Sequence, residues 1–315
     1  MIKRLQNRVA ESRLTLPLTF LYASVIWLLA GLFLQQSLWL PAGCMTASAY
    51  VMLKLNDLNL LIRIYSRTVS AFYIVLVCAA PFLLASLPGA FIQLCAIMAL
   101  TLLSISYQDK RATGWTFYAF SCLSLGSTAE ISLLYYVPLL WFIMAWYTYS
   151  LSWRTFLASL LGLLTPYWFL LAWHWTASGG SLEPWMSHLA GVASLRLPID
   201  YTVISTQRMI FFTLVIACYL TGSIHFLNKK SDDKIRVRQI YYSLITATGY
   251  SCILTALQPN LYDMTIRMMM ITVSPIIAHF ITLTHTKWTN MVFIVLSAII
   301  LTITIFNLWM LSSAS

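Results

Sequence analysis

TLPLTFLYASVIWLLAGLFL, residues 15–34, carries no charged side chain. At about 1.5 Å of rise per residue, a helix of this length crosses the ~30 Å hydrocarbon layer of a bilayer. Basic residues precede it and no small-residue cleavage motif follows, so it reads as a retained membrane helix and not as a signal peptide. Similar runs recur from Leu16 to Leu311, and they are continuous instead of alternating, which argues against an outer-membrane barrel. The composition agrees: of 315 residues, 60% are hydrophobic and 9% charged, with a mean hydropathy of +0.80. A chain this apolar cannot hide its surface in water. The expected fold is all-α, a polytopic bundle in one membrane domain over residues 1–315, and the expected location is the cell inner membrane.

The apolar runs predict helices at 15–34, 39–53, 68–87, 89–106, 113–127, 130–149, 155–176, 204–226, 239–257, 263–283 and 288–311. The second and fifth are short for a full crossing, so the expected count is nine to eleven. Charge placement orients this map. Lys3, Arg4, Arg8, Arg13, Lys54, Arg63, Arg67, Lys110, Arg111, Arg154, Lys229, Lys230, Lys234, Arg236, Arg238 and Lys287 all fall on one side of the eleven-span arrangement. Only Arg196, Arg208 and Arg267 remain for the other. The positive-inside rule then places the N-terminus in the cytoplasm. Topology and anionic lipid account for the net charge of +10, so no nucleic-acid partner is expected.

Between the spans, KLNDLNLLIRIYSR (54–67) repeats Leu58, Leu61, Ile62 and Tyr65 at three- and four-residue steps. This predicts a cytoplasmic interfacial helix with Asn56 or Asp57 at its start, serving as scaffold or as one face of a ligand site. The segment from Thr176 to Val203, TASGGSLEPWMSHLAGVASLRLPIDYTV, reads as an outer-face loop over 177–203 in which WMSHLAGV forms a short helix.

Candidate site residues cluster on the outer side. Gly126, Ser127, Thr128 and Ala129 interrupt a bulky apolar sequence, and Glu130 is the only charge between Arg111 and Arg154. A carboxylate there is either a solvated turn residue or a proton acceptor beside a cavity. In YDMTIRMMMI (262–271), Asp263 and Arg267 stand four apart on one helical face, a spacing that allows an ion pair, and Arg208 falls near the matching end of another span. The two arginines suit a phosphate or pyrophosphate headgroup; the competing reading has Arg208 snorkelling and Arg267 paired with Asp263. His188 is the loop residue suited to proton transfer near neutral pH. The six cysteines form no CxxC pair, and no zinc-ligand spacing or nucleotide-binding motif is present, so neither metal nor cofactor is expected.

NDLNLLIR (56–63), LGSTAEISLLYYVPLLWF (125–142) and SWRTFLASLLGLLTPYWFL (152–169) together resemble a family of polytopic inner-membrane proteins from Bacteroidota. The small-residue break, the aromatic-proline helix and the short basic loop are also similar to polyprenol-dependent glycosyltransferases and glycan polymerases. That resemblance implies work on a polyprenyl-phosphate-linked saccharide, with Glu130 as catalytic base and Arg208 and Arg267 on the lipid-linked phosphate. The acidic first outer loop of many such enzymes is replaced here by Gln35, Gln36 and Ser37. A transporter or flippase of an amphipathic lipid or small anion, and an accessory subunit for a membrane-protein partner, are the alternative readings. Membrane lipids are the expected partners in each.

Overall fold

The computed structural model describes residues 4–177, 182–191 and 199–314. They are helical, with no strand among the described residues. A short helix α1 (Leu5–Glu11) leads into α2 (Thr15–Leu34), α3 (Trp39–Asn59), α4 (Thr68–Cys78), α5 (Leu87–Ile105), α6 (Thr113–Ser127), α7 (Val137–Trp146) and α8 (Trp153–Ala177). After these come α9 (Glu183–Ala190), α10 (Thr206–Lys229), α11 (Ile235–Leu257), α12 (Tyr262–Leu283) and α13 (Lys287–Ala314).

Among the described residues, seven helical segments are long and apolar enough to cross a membrane, namely α2, α5, α8, α10, α11, α12 and α13 with their short extensions. Each of the eleven expected spans is represented by a helix, but α4, α6 and α7 fall short in length, and α3, though 21 residues long, is not apolar enough. At 11 and 15 residues, α4 and α6 extend only about 16 and 22 Å. The reason is local for α4. Pro81 removes a backbone donor and restricts Ala80, which sits at φ −119°, ψ 64°, so the helix expected over 68–87 stops at Cys78. A single 3-10 turn, Pro81–Leu83, follows, and Ser86 restarts the chain as α5 by accepting a hydrogen bond from the Gly89 amide at 3.1 Å. Asn307 of α13 donates to the Ala79 carbonyl at 2.8 Å, closing the frayed end of α4.

The helix expected over 54–67 also ends early. Residues 54–59 are the last turns of α3, and Leu60 closes that helix in the left-handed region at φ 50°. Asn56 and Asp57 therefore lie inside a helix and do not cap one. Residues 61–67 run on without helical structure.

The centre of the bundle is α12, buried at every position from Met264 to Thr282. It packs against α10, α11, α4 and α5. Since lipid competes with protein for apolar surface, close backbone approach is what holds such helices together. Two glycines provide it. A Cβ on Gly222 of α10 would stand 2.8 Å from the Ile276 carbonyl oxygen of α12. One on Gly162 of α8 would stand 2.5 Å from the Phe117 carbonyl oxygen of α6, beside which Ser124 donates to the Leu163 carbonyl at 2.6 Å. The expected short helix around WMSHLAGV is present as α9, whereas 178–181 and 192–198, including Arg196, lie outside the described residues.

Candidate functional site

The break after α6 holds Glu130. Gly126 permits it, because a Cβ there would meet Leu133 Cδ2 at 2.7 Å and Cys95 Cβ at 3.0 Å. The chain turns through Thr128 and Ala129, with the Ala129 amide bonded to the Gly126 carbonyl at 3.1 Å. Glu130 then sits extended, at φ −146°, ψ 107°, ahead of the 3-10 segment Ile131–Tyr136. Its side chain does not cap that segment. It is half-buried and within electrostatic reach of Asp263 and Arg267 on α12. Burial first, then repulsion by Asp263, raises its carboxyl above the ordinary carboxylate range, and Arg267 opposes the shift in part.

Asp263 does not pair with Arg267, as the four-residue spacing allows. Its partner is Arg208, whose Nη2 lies 3.0 Å from Asp263 Oδ2 in an exposed pair. The Arg208 guanidinium also stands 5.7 Å from the Tyr262 ring centroid, and the Tyr262 hydroxyl donates to the Arg208 carbonyl at 2.5 Å. Arg208 thus connects the start of α10 to the start of α12 at a surface where its side chain retains 29% exposure.

Arg267 lies one turn deeper and is 1% exposed. Its Nη2 donates to the Leu83 carbonyl at 2.6 Å and its Nη1 to Gln93 Oε1 at 3.4 Å. The cation therefore satisfies the carbonyl end of the 3-10 turn that interrupts the α4–α5 connection, a role invisible while 68–87 reads as one helix. Gly89 makes the room, since a Cβ there would approach the guanidinium carbon to 2.5 Å. The Gln93 side-chain nitrogen is buried without a partner beside it. Leu83, Gly89 and Gln93 were not legible as site residues; Pro81 and Pro88, which flag the break, were the available signal.

His188 is carried by α9 and faces a different neighbour. Its ring centroid is 6.2 Å from that of Tyr167, whose hydroxyl is 2.7 Å from the Ser127 hydroxyl at the end of α6. A Cβ on Gly191, just past α9, would touch Ile131 at 3.0 Å, so α9 rests on the same turn that carries Glu130. Glu130, Asp263, Arg208 and Arg267 thus form one electrostatically linked group, whereas His188 contacts Tyr167. Among the described residues no three His, Cys, Asp or Glu side chains are grouped to hold a metal ion.

An apolar cavity of about 500 Å³ opens between α2, α3 and α4, with Trp27, Met45 and Tyr73 among its walls. Tyr73 is buried there and lies within electrostatic reach of Arg267. No known protein family, curated protein or solved structure matches the chain.

Proposed function

We propose that this chain is a multi-pass protein of the cell inner membrane, N-terminus in the cytoplasm, that acts on a polyprenyl-phosphate-linked saccharide at the outer face. The observation that carries the reading is Glu130, a half-buried carboxyl of raised proton affinity beside Asp263 and Arg267. A carboxylate tuned upward is a better proton acceptor than a solvated one. In the transfer, Glu130 takes the proton of an acceptor hydroxyl as its oxygen bonds to the anomeric carbon. The bond from that carbon to the lipid diphosphate breaks, and the diphosphate leaves with the electron pair. Arg208, partly exposed and paired with one carboxylate, exchanges Asp263 for phosphate oxygens, while buried Arg267 contributes positive field from below. The apolar cavity between α2, α3 and α4 suits the hydrocarbon chain of such a lipid.

The test is transfer from an undecaprenyl-diphosphate-linked saccharide by the full chain in nanodiscs. Glu130→Gln is expected to lower turnover by about 100- to 10,000-fold, with lipid binding retained. Turnover equal to wild type in that variant would sink the assignment. A second reading, movement of an amphipathic lipid or small anion, is favoured by ionisable clusters at both ends of α12. It requires flux of a fluorescent lipid or of phosphate in sealed proteoliposomes without any transfer product.

A further inference from the structure

The end of α12 remote from Glu130 carries a second polar cluster. His279 and Asp233 have fully buried side chains, with His279 Nε2 3.1 Å from Asp233 Oδ2. The other Asp233 oxygen accepts a hydrogen bond from Arg63 Nε at 2.7 Å, and Arg63 reaches solvent and Asp232, 3.8 Å away. One carboxylate thereby joins three elements: α12, the linker between α10 and α11, and the irregular segment after α3. Burial pushes the Asp233 carboxyl up, but the bonds from His279 and Arg63 outweigh it and hold the group below the ordinary carboxylate range.

Two imidazole nitrogens in this cluster have no partner. Nδ1 of His279 and Nε2 of His225 are both buried without a hydrogen bond, and the two rings lie 5.6 Å apart between centroids. Buried polar atoms are nearly always satisfied, so a pair of orphans on facing imidazoles marks a place for a small polar ligand. The surroundings limit its identity. From α10 come His225 and Lys229, which interact electrostatically; from α11 comes Tyr241, whose ring is 4.9 Å from that of His279. From α4 and α1 the neighbouring turn meets neutral groups only, Thr68 on Thr282 and Gln6 on the Ile281 carbonyl, with Arg4 bonded to the His285 carbonyl beyond.

We propose that His279, backed by Asp233 and facing His225, is a reversible proton-binding site that latches the linker and the 60–67 segment onto α12. With neutral His279 the Nε2 bond to Asp233 joins a neutral donor to a carboxylate. Protonation at Nδ1 converts it into a bond between an imidazolium and a carboxylate, which is shorter and stronger. Arg63, half-exposed, carries the change to the surface. This site is independent of the outer-face chemistry, and its test does not involve turnover.

The full chain in nanodiscs, labelled at histidine with carbon-13 and nitrogen-15, is titrated from about pH 5 to 8, the range where imidazole changes charge. Amide hydrogen exchange of residues 60–67 and 229–234 is measured in parallel and corrected for the intrinsic rate. The His279 resonance, identified by its absence in His279→Gln, is expected to titrate. Exchange in both segments should slow by about tenfold toward the acid end, and Asp233→Asn should abolish that slowing. Should His279→Gln fail to fold, single replacement of His174, His188, His225 and His285 by Gln assigns the other four signals and leaves that of His279. A His279 signal that stays fixed across the range overturns the proposal, as does titration without any change in exchange, or a pH response that survives in Asp233→Asn.

Discussion

Arg208 and Arg267 show how one residue type serves two purposes at neighbouring depths. Arg208 is a partly exposed partner of exposed Asp263, an ion-pair arrangement that contributes about 0–1 kcal/mol to stability and leaves the guanidinium free to change ligands. Arg267 is fixed against the Leu83 carbonyl and Gln93, with Gly89 as the floor beneath it. Gly89→Ala is therefore expected to lower stability by about 1–3 kcal/mol through overpacking. Combining it with Arg267→Met should cost less than the sum of the two single changes, because the guanidinium that the new methyl strikes is gone. Thermal unfolding of the four proteins in one detergent checks this cycle; strict additivity would show that Gly89 and Arg267 do not constrain each other. Glu130 gives a pH signature of definite sign. Its carboxyl is raised in the folded protein by burial and by Asp263, so its favourable contribution is present below the ordinary carboxylate range and is lost as pH rises through the raised value. Glu130→Gln should unfold at a higher temperature than wild type at pH 7.5, and the difference should vanish near pH 4.

At the level of the helices, the decisive features are breaks and close approaches. Gly162 on α8 faces the Phe117 carbonyl of α6, and a methyl there collides with backbone, which cannot swing aside as a side-chain tip can. Gly162→Ala is expected to cost about 1–3 kcal/mol by overpacking, read as a lower midpoint of thermal aggregation, whereas Gly43→Ala, inside α3 where a Cβ meets nothing within 4 Å, should raise the midpoint slightly, because alanine favours a helix over glycine. Equal effects of the two changes would contradict the packing. The apolar runs made every long helix legible, and the turn at Gly126–Ala129 with its lone carboxylate was legible for the same reason, since small and charged residues stand out in a hydrophobic chain. The shortening of α4 was not, although Pro81 marked it, because hydropathy alone continues smoothly through Phe82 to Leu87. The 54–67 segment misled in the other direction: its apolar periodicity is real, but Leu61 and Ile62 are buried against the bundle in irregular backbone. The partners of Asp263 and Arg267 were illegible because each is far away in sequence. Spacing on one helix suggests only what two residues can do for each other.

The molecule as a whole is a bundle around α12, whose ends carry the two ionisable clusters and whose middle is lined by Met268, Met269, Met270 and Ile271. Helices that meet lipid, such as α2, α8 and α13, surround the inner set and expose large apolar side chains including Leu32, Trp168 and Ile305. The union of α6 with α8 bears on biogenesis. α6, at 15 residues, is too short to span the hydrocarbon layer, while α8, at 25, is long enough. A translocon that sorts segments by their own hydrophobic length should release α8 readily and hold α6 poorly, leaving α6 waiting for a partner that emerges some 40 residues later. With the other five cysteines replaced, chains stalled on the ribosome before residue 153 should leave Cys122 open to a water-soluble maleimide, and chains stalled beyond residue 210 should protect it. The short α6 beside the long α8 thus predicts a helix that enters the bilayer by docking after synthesis has moved on.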